Sequence, residues 1–284
     1  MEWKKVAVVG LGLLGGSICL SLRQKKAAGS VVAYARREET VAEGLALGIA
    51  DDISTDLGSI VTGADLVILC TPVSQMRLLA EKSVPFLGRG AHVTDVGSVK
   101  TQVVQDVEGI IRDAGAEFIG SHPMAGSEKT GVGYASDSLL EGAVCVVTPP
   151  RSGDPSRIEK FWEMLGCRVM VMSPEEHDQL VSRTSHLPHL VSAMLAHYIL
   201  DPDWPADQAS LCGTGFRDTS RLASGSPVMW RDICASNRPA IVEALSQWSA
   251  QLSELSGHLE RGEDEKVLSI LEAAKSRRDQ WLNK

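Results

Sequence analysis

The sequence predicts an α/β protein in which a doubly wound parallel sheet is followed by an all-helical domain. In the first half of the chain, short apolar runs alternate with segments of helical periodicity, the pattern of parallel strands joined by crossover helices. A glycine-rich turn directly follows the first apolar run. After Met172 the strand signals end, and apolar residues recur at helical spacing.

Seven short apolar runs are predicted as strands. They are Val6–Val9, Val31–Tyr34, Leu66–Cys70, Ala91–Thr94, Glu117–Gly120, Ala143–Val147 and Arg168–Met172. Helices are predicted between several of them, at Gly16–Gln24, Glu38–Leu47, Ser74–Phe86, Thr101–Asp113 and Pro155–Leu165. Ligands of such sheets bind beyond the carboxyl ends of the strands, so residues 70–72, 95–98 and 121–123 are the segments to consider for a site.

The glycines after the first strand form the pattern G-x-G-x-x-G. Gly10 permits the tight turn, Gly12 lets the backbone approach a pyrophosphate, and Gly15 lets the helix pack close to the strand. Leu13 and Leu14 lie at the start of that helix, whose free N–H groups attract phosphates. The preceding strand and the following helix favour a dinucleotide site over a glycine-rich turn that merely packs.

The end of the second strand bears on which dinucleotide is used. An NAD-specific fold usually carries an acid there, about 20 residues past the glycines, to bind the ribose hydroxyl. Here Arg36 and Arg37 occupy this place, and the first acid is Glu38. The two arginines favour NADP by charge, and NAD remains possible. Thr71 and Pro72, at the end of a later strand, are assigned to the same cofactor site.

The second half of the chain is predicted to be helical. Ser173–Glu176 has the composition of a helix start, with serine as the cap, proline next and acids in the first turn. The domains are therefore predicted as 1–172 and 173–284. Gly213–Ser226 is predicted as a loop because it is rich in glycine, threonine and serine, and the chain ends in a charged helix over Glu263–Lys284.

Composition excludes several classes of protein. The net charge is −8, from 36 acidic and 28 basic residues, which argues against nucleic acid or an anionic membrane as the main partner. No apolar run approaches the about 20 residues of a spanning helix, and no secretory signal is present. The six cysteines are scattered, so we expect reduced thiols in a cytoplasmic protein and no metal site.

The histidines are the candidate proton-transfer residues. His122 ends a predicted strand, where it would face the nicotinamide of a cofactor, although a histidine that only caps a strand end is the alternative. His186 and His189 lie three apart on one predicted helix face, with His177 and Asp178 upstream. No third metal ligand has an obvious spacing, so a polar helix lining a cleft is favoured over a metal site.

Spaced motifs give the chain a more specific resemblance. They occur at Gly10–Gly15, Asp95–Lys100, Ser121–Gly126, His177-Asp178, Ser185–His189, Gly215–Arg221 and Met229-Trp230. In this order they resemble the TyrA family, the prephenate and arogenate dehydrogenases of tyrosine biosynthesis. The resemblance implies a Rossmann domain followed by a helical dimerisation domain, and oxidative decarboxylation of a small-molecule substrate with hydride transfer to NAD(P).

The resemblance also implies roles for individual residues. His122 would accept the hydrogen bond from the ring hydroxyl of the substrate, with Ser98 beside it, and Arg221 would hold a carboxylate. The mouth and side-chain end of the site would be formed by Glu128, Asp218, His186, His189 and Trp230. A neutral imidazole suits the hydroxyl proton at cell pH, and kcat is expected to follow one ionisation near about 6–7.

Two properties of the substrate and the assembly follow as expectations. An acid near the substrate side chain would favour arogenate over prephenate, and the choice stays open among the candidates Glu128, Asp178 and Asp218.

The helices after Pro239 carry apolar stripes that one small domain has difficulty burying, so a homodimer is expected. The stripes comprise Ile241, Leu245, Trp248, Leu252, Leu255, Val267, Leu268 and Leu271.

Two other functions are weighed against this one. A dehydrogenase of the 3-hydroxyacid type typically uses a lysine on a helix of its second domain, and Ser173–Leu200 contains no lysine. A non-catalytic dinucleotide-sensing protein would have no need to retain His122, Ser98 and Arg221 together. Both alternatives are therefore less favoured than the tyrosine-branch dehydrogenase.

Overall fold

One sheet organises the first part of the molecule. The computed structural model describes residues 3–126, 129–150, 154–205 and 207–283. Eight strands of these residues form a sheet in the order β3-β2-β1-β4-β5-β6-β7-β8. The strands are β1 Trp3–Val9, β2 Ala28–Tyr34, β3 Asp52–Ser54, β4 Leu66–Leu69, β5 His92–Asp95, β6 Glu117–Pro123, β7 Val144–Thr148 and β8 Arg168–Val171. The predicted α/β fold is confirmed, and all seven predicted strands are present.

The prediction of parallel pairing throughout is wrong for one pair. β6 and β7 are antiparallel, with His122 opposite Val146, whereas the other neighbouring strands are parallel. A parallel return requires a crossover, usually a helix. The described part of the connection after Pro123 contains only the short 3₁₀ turn Val132–Tyr134, so the chain comes back in the opposite direction.

Helices cover both faces of the sheet, which explains the apolar strand sequences. They are α1 Leu13–Gln24, α2 Glu38–Ala46, α3 Leu57–Val61, α4 Val73–Ser83, α5 Thr101–Asp113 and α6 Ser156–Met164. In β1, Val6 and Val8 belong to one core cluster, while Ala7 and Val9 belong to another. Successive side chains of a strand point to opposite faces, so a strand buried on both faces is apolar at every position.

The remaining elements are helical, as predicted. They are α7 Pro174–Val181, α8 Leu187–Ile199, α9 Thr214–Ser220, α10 Pro227–Ser236, α11 Arg238–Glu260 and α12 Asp264–Leu282. The predicted loop at Gly213–Ser226 is wrong, because it contains α9 and a 3₁₀ turn at Arg221–Ser224. The hydroxyls of Thr219 and Ser220 donate to helix carbonyls four residues earlier, so these polar side chains are accommodated within the helix.

Contacts divide the chain into two compact units, Met1–Arg238 and Pro239–Lys284. This division differs from the domain boundary at Met172, which stays a prediction. The second unit comprises most of α11 and all of α12, with Glu263 at the turn accepting hydrogen bonds from Arg261 and pairing with His258. No helix of the described ranges is long and apolar enough to cross a membrane.

Candidate active site

A glycine turn shapes the first of two cavities at the carboxyl ends of the strands. Gly10 has a φ of +115°, and a Cβ there would lie 2.4 Å from the carbonyl oxygen of Cys70. A Cβ at Gly15 would lie 2.0 Å from the carbonyl oxygen of Gly10. A Cβ at Gly12 would meet nothing within 4 Å. The outer two glycines are therefore required by packing, and the middle one leaves space above the turn.

The first cavity has a volume of about 470 Å³. Its walls include the predicted cofactor residues Gly12, Leu13, Leu14, Gly15, Thr71 and Pro72, together with Ser98 and His122. The first turn of α1 carries no acidic residue, so the positive pole of the helix is not neutralised there. The buried hydroxyl of Thr71 has no hydrogen-bond partner among the described residues. Open backbone, a positive helix end and an unpaired hydroxyl fit a dinucleotide.

A second cavity, of about 390 Å³, adjoins the first. Both are lined by His122 and Pro123. The second cavity is also lined by Arg221, His189 and Trp230. The rings of His189 and Trp230 stack with centroids 3.5 Å apart. This cavity therefore offers a cation, a flat aromatic wall and an imidazole, which suits a small anionic ring compound.

A hydrogen-bonded chain of side chains holds His122 from behind. Nδ1 of His122 lies 2.8 Å from Nε2 of His177, and Nδ1 of His177 lies 2.8 Å from Oδ1 of Asp178. The Asp178 carboxylate also accepts the backbone N–H groups of Lys100 and Thr101, at 2.7 and 2.9 Å. His177 is fully buried and His122 nearly so. The chain fixes both the position and the hydrogen bonding of the His122 ring.

A π-helical turn brings His186 close to this hydrogen-bonded chain. His186 follows His177 by nine residues, and in a regular α-helix, at about 100° per residue, the two would lie on opposite sides. The wider turn at Ser182–His186, which precedes the donor-less nitrogen of Pro188, rotates His186 partway back. The amide nitrogen of Asn237 then lies 3.3 Å from Nδ1 of His186 and donates to the carbonyl oxygen of Asp178 at 2.8 Å.

The electrostatics favour the neutral forms of His122 and His186. Burial, followed by the neighbouring His177, Lys100 and His186, lowers the pKa of His122 well below its usual value of 6.5. Burial lowers the pKa of His186 to about 4. Burial opposes ionisation of Asp178, but hydrogen bonds from His177 and two backbone amides outweigh it and lower the pKa of Asp178. The lowered pKa of His122 moves the expected ionisation below the range of about 6–7.

Some predicted site residues lie apart from both cavities. Arg36 and Arg37 are exposed between β2 and α2, and Asp218 is exposed on α9; none of the three lines either cavity. His186 lines neither cavity, but its ring contacts Trp230 edge-on with centroids 5.9 Å apart. Glu128 lies outside the described residues. No group of three metal-ligating side chains occurs in the described part of the chain.

Three residues of the site, His177, Asn237 and Lys100, are not predicted from the sequence. The sequence predicts His177 and Asp178 as neighbours on a helix and Asp178 also as a candidate near the substrate side chain. A straight α-helix gives no reason to join the two residues to His122. Asn237 carried no signal, since it stands alone after α10. Lys100 belongs to the Asp95–Lys100 motif. A lysine five residues after an aspartate at a strand end is the sequence signal that could have indicated the ion pair.

One cavity suits a dinucleotide, the other suits an anionic ring compound, and both are lined by the buried His122. These features are those of a nicotinamide-dependent dehydrogenase. Residues 18–171 match the family model for the prephenate dehydrogenase nucleotide-binding domain, and residues 173–273 match that for the prephenate dehydrogenase dimerization domain. The chain belongs to the prephenate dehydrogenase family. The family predicted from the spaced motifs is thus confirmed, as are the Rossmann fold and the helical C-terminal region.

Individual relatives agree along nearly the whole chain. The prephenate dehydrogenase of Bacillus subtilis is 34% identical over 280 residues, covering 96% of this chain and 75% of the relative. The cyclohexadienyl dehydrogenase of Zymomonas mobilis is 31% identical over 261 residues, covering 89% of this chain and 87% of the relative.

Solved structures give the same result. The prephenate dehydrogenase of A. aeolicus, in complex with hydroxyphenyl propionate and NAD+, has a TM-score of 0.91 at 35% identity and covers 98% of each chain. The arogenate dehydrogenase of Synechocystis has a TM-score of 0.82 at 30% identity, covering 98% of this chain and 99% of that one. A 3-hydroxyisobutyrate dehydrogenase of Mycobacterium tuberculosis, at 14% identity and a TM-score of 0.54, shares the fold alone. The 3-hydroxyacid alternative is therefore not favoured.

Proposed function

We propose that this protein catalyses the oxidative decarboxylation of prephenate, with the nicotinamide cofactor in the first cavity and the substrate in the second. The observation that carries the proposal is the position of His122, which lines both cavities. A group that must contact a substrate hydroxyl while hydride moves to a cofactor has to lie between the two ligands. Ser98, which lines the first cavity, is proposed to assist it.

The chain of hydrogen bonds behind His122 selects the ring nitrogen that faces the substrate. An ionised carboxylate can only accept, so Nδ1 of His177 donates to Asp178 and Nε2 of His177 is left to accept. Nδ1 of His122 must then carry the proton and donate to His177. This leaves Nε2 of His122 as the unprotonated nitrogen, ready to accept the hydrogen bond of the substrate hydroxyl.

The balance of the reaction shows what His122 has to do. When bound, the nicotinamide supplies the acceptor for the hydride that leaves the ring carbon bearing the hydroxyl. The ring carboxylate departs as carbon dioxide, and its electron pair completes the aromatic ring. The hydroxyl keeps its proton in the phenol product, so His122 needs only to take up proton density as the C–O bond shortens and to return it on aromatisation. A neutral, fixed acceptor suits this role.

The second cavity supplies the contacts for the rest of the substrate. Arg221 lines it, and a planar guanidinium binds a carboxylate through two parallel hydrogen bonds. The stacked rings of His189 and Trp230 form a wall on which the six-membered ring can lie. Roles at the mouth of this site for His186, Asp218 and Glu128 remain predictions.

The lining of the second cavity bears on the choice between two substrates. Prephenate carries a keto group where arogenate carries an ammonium group. Among the described residues that line this cavity, none is a carboxylate, and Arg221 contributes a cation. Asp178 is buried against His177, away from the lining. Among the described residues that line the cavity, an ammonium group would therefore have no anionic partner, and on this ground we propose prephenate as the preferred substrate.

For the cofactor we propose NADP, with NAD as the alternative. The supporting observation is that Arg36 and Arg37 are exposed directly after β2. In this fold, the residue that contacts the adenosine ribose lies at the end of the second strand. The first acid, Glu38, accepts a hydrogen bond from Thr55 at 2.8 Å. A 2′-phosphate would therefore meet two cations before any free carboxylate.

We also propose a homodimer formed through the C-terminal helices. Large apolar side chains of the second unit are exposed, among them Val242, Leu252, Leu259, Leu268, Leu271 and Trp281. An exposed apolar surface of this kind marks an association site, and the match to a dimerization domain supports the same conclusion. Light scattering at micromolar concentration should give twice the mass of one chain, and a monomer mass would contradict it.

The function is tested by measuring turnover in four combinations, prephenate or arogenate with NADP or NAD, by the absorbance of the reduced cofactor. We expect the highest kcat/KM for prephenate with NADP. A higher value for arogenate would overturn the substrate proposal, and a higher value for NAD would overturn the cofactor proposal. Absence of turnover in all four would reject the reaction itself.

A further inference from the structure

A buried ion pair connects the carboxyl ends of β5 and β6. The ammonium group of Lys100 pairs with the carboxylate of Asp95, and both residues are 0% exposed. Neither residue lines either cavity. Removing two charges from water is costly, and a buried pair is often no more stabilising than apolar residues of the same size. Its position therefore needs a reason beyond stability.

Both members of the ion pair form hydrogen bonds with the main chain next to His122. The N–H of Ser121 donates to Oδ1 of Asp95 at 2.9 Å, and the carbonyl oxygen of Ser121 accepts from Nζ of Lys100 at 2.7 Å. Both main-chain polar groups of Ser121, the residue before His122, are thus bound to the pair. The ring of His122 can be held at its position only if this backbone is held as well.

Lys100 also contacts Asp178, at the far end of the hydrogen-bonded chain His122–His177–Asp178, which is called the histidine chain below. Its backbone N–H donates to Oδ1 of Asp178 at 2.7 Å, the oxygen that pairs with Nδ1 of His177. One residue therefore binds the main chain before His122 through its side chain and the carboxylate behind His177 through its amide. Ser98 lies in the short segment between Asp95 and Lys100. The ion pair joins the two ends of this segment and so restrains the position of Ser98.

The absence of a side chain at Gly97 and Gly120 provides space for the side chains of the ion pair. A Cβ at Gly97 would lie 2.8 Å from Oδ2 of Asp95 and 3.4 Å from Nζ of Lys100. The N–H of Gly97 donates to the same oxygen of Asp95 at 2.7 Å. A Cβ at Gly120 would lie 3.5 Å from the Lys100 stem and 2.5 Å from the Thr148 hydroxyl. The surrounding chain is shaped to admit a buried lysine.

We propose that the Asp95–Lys100 pair is the positioning device of the active site, which aligns His122 and Ser98 and holds the Asp178 end of the histidine chain. This inference rests on the proposed role of His122 as the acceptor for the substrate hydroxyl. The pair acts through the Ser121 peptide and through Asp178, and it does not touch either ligand.

The charge of Lys100 provides a signature that stability alone would not give. A nearby cation disfavours protonation of an imidazole, and Lys100 is among the groups that lower the pKa of His122, after burial and His177. Among the described residues, the titratable and charged groups around His122 and its two cavities are His177, Asp178, His186, His189, Lys100, Asp95, Cys70, Cys145, Lys129, Arg221 and Asp232. Removing the cation while Asp95 remains should therefore raise the pKa of His122.

The test is Lys100→Met, which keeps the length of the side chain and removes the charge. We expect kcat to fall by about 10- to 100-fold, the range for small misplacements of a reacting group. Cofactor affinity should not change, because the pair lies outside the first cavity. The acid limb of kcat/KM should move to higher pH. An unchanged kcat and an unchanged acid limb in the folded variant would overturn the proposal.

A matched control is Lys5→Met. The ammonium of Lys5 also donates to a main-chain carbonyl, that of Thr62 at 2.7 Å, but it lies in β1 near the opposite end of the strands. It should leave kcat and the pH profile unchanged. A loss in Lys5→Met equal to that in Lys100→Met would assign both effects to general stability and overturn the proposal.

A second variant keeps the test decisive if Lys100→Met leaves Asp95 as a destabilising lone charge. Asp95→Asn/Lys100→Met removes both charges, so kcat should still fall, while the acid limb should shift less than in the single variant. Full kcat in the double variant, or failure of both variants to fold, would assign the pair to stability and overturn the proposal. His122→Asn tests the underlying function separately, because an active His122→Asn would remove the role of His122 whatever Lys100 does.

Discussion

The two cavities are built in different ways. One wall of the first is the backbone of a contiguous glycine turn, where carbonyl oxygens leave no room for a side chain at Gly10 or Gly15. The second is shaped by side chains from separate elements, with His122 on β6, His189 on α8 and Trp230 on α10. Backbone walls suit a ligand that many enzymes share, whereas side-chain walls suit a particular substrate.

This difference predicts which changes separate binding of the cofactor from chemistry. Substitutions of side chains in the second cavity should alter kcat or KM for the substrate and leave cofactor affinity intact. Substitutions that add atoms to the glycine turn should do the reverse. Each prediction below would sharpen this distinction if it holds and would break it if the two effects appear together.

The largest effect is expected for His122→Asn. The amide keeps a polar group in place but cannot take up proton density as the imidazole does, so kcat should fall by about 10²–10⁴-fold. The dissociation constant of the cofactor, measured by fluorescence titration, should stay near that of the unmodified protein. A loss that appears only in KM would mean that His122 positions the substrate without assisting proton movement.

The next largest effect is expected for Arg221→Gln. The substitution keeps length and some hydrogen bonding but removes the cation that we propose binds a substrate carboxylate. Since that contact is present in ground and transition states alike, KM should rise by about 10- to 1000-fold with a smaller change in kcat. An unchanged KM in steady-state kinetics would remove Arg221 from the substrate site.

Product inhibition tells which carboxylate Arg221 holds. A 4-hydroxyphenyl acid retains the side-chain carboxylate and lacks the ring carboxylate. If Arg221 binds the former, Arg221→Gln should weaken inhibition in parallel with the rise in KM. If it binds the latter, inhibition should be unchanged while KM still rises.

The contrast between the cavities also explains what the sequence could predict. β1 was predictable because each of Val6–Val9 is apolar, as burial on both faces of a parallel sheet requires. The glycine turn was predictable because its spacing is a local pattern, in which Gly10 has a φ of +115° and Gly15 approaches the carbonyl oxygen of Gly10. Asn237, by contrast, reaches Asp178 across 59 positions of the chain, and no local pattern indicates a contact at that distance.

Two errors have the same origin. The small polar residues at 213–226 indicated a loop, yet Thr219 and Ser220 bond to carbonyls of their own helix, which depends on the conformation already adopted. His177 and His186 are nine residues apart, and only the π-helical turn at Ser182–His186 brings them into one network. The family resemblance predicts site residues, whereas the hydrogen bonds that join His122, His177 and Asp178 depend on the three-dimensional fold.

A smaller effect is expected for Gly12→Ala. The added methyl group meets no protein atom within 4 Å, so the thermal unfolding temperature should hardly change. It would occupy the space through which a pyrophosphate approaches the backbone, and cofactor affinity should fall about tenfold or more, a loss of about 1.4 kcal/mol or more. An unchanged cofactor affinity would mean that the first cavity does not hold the pyrophosphate at this turn.

The most direct test of the account is the pH dependence of kcat/KM for the favoured substrate. Only neutral His122 can accept the hydroxyl hydrogen bond, so activity is lost as pH falls through its pKa. Because burial, His177, Lys100 and His186 hold that pKa well below 6.5, kcat/KM should remain near its maximum at pH 6.5 and decline only at lower pH. The limb should be absent from the residual activity of His122→Asn. A half-maximal value at or above pH 6.5, or a limb that persists in His122→Asn, would contradict a neutral His122 held by His177 and Asp178.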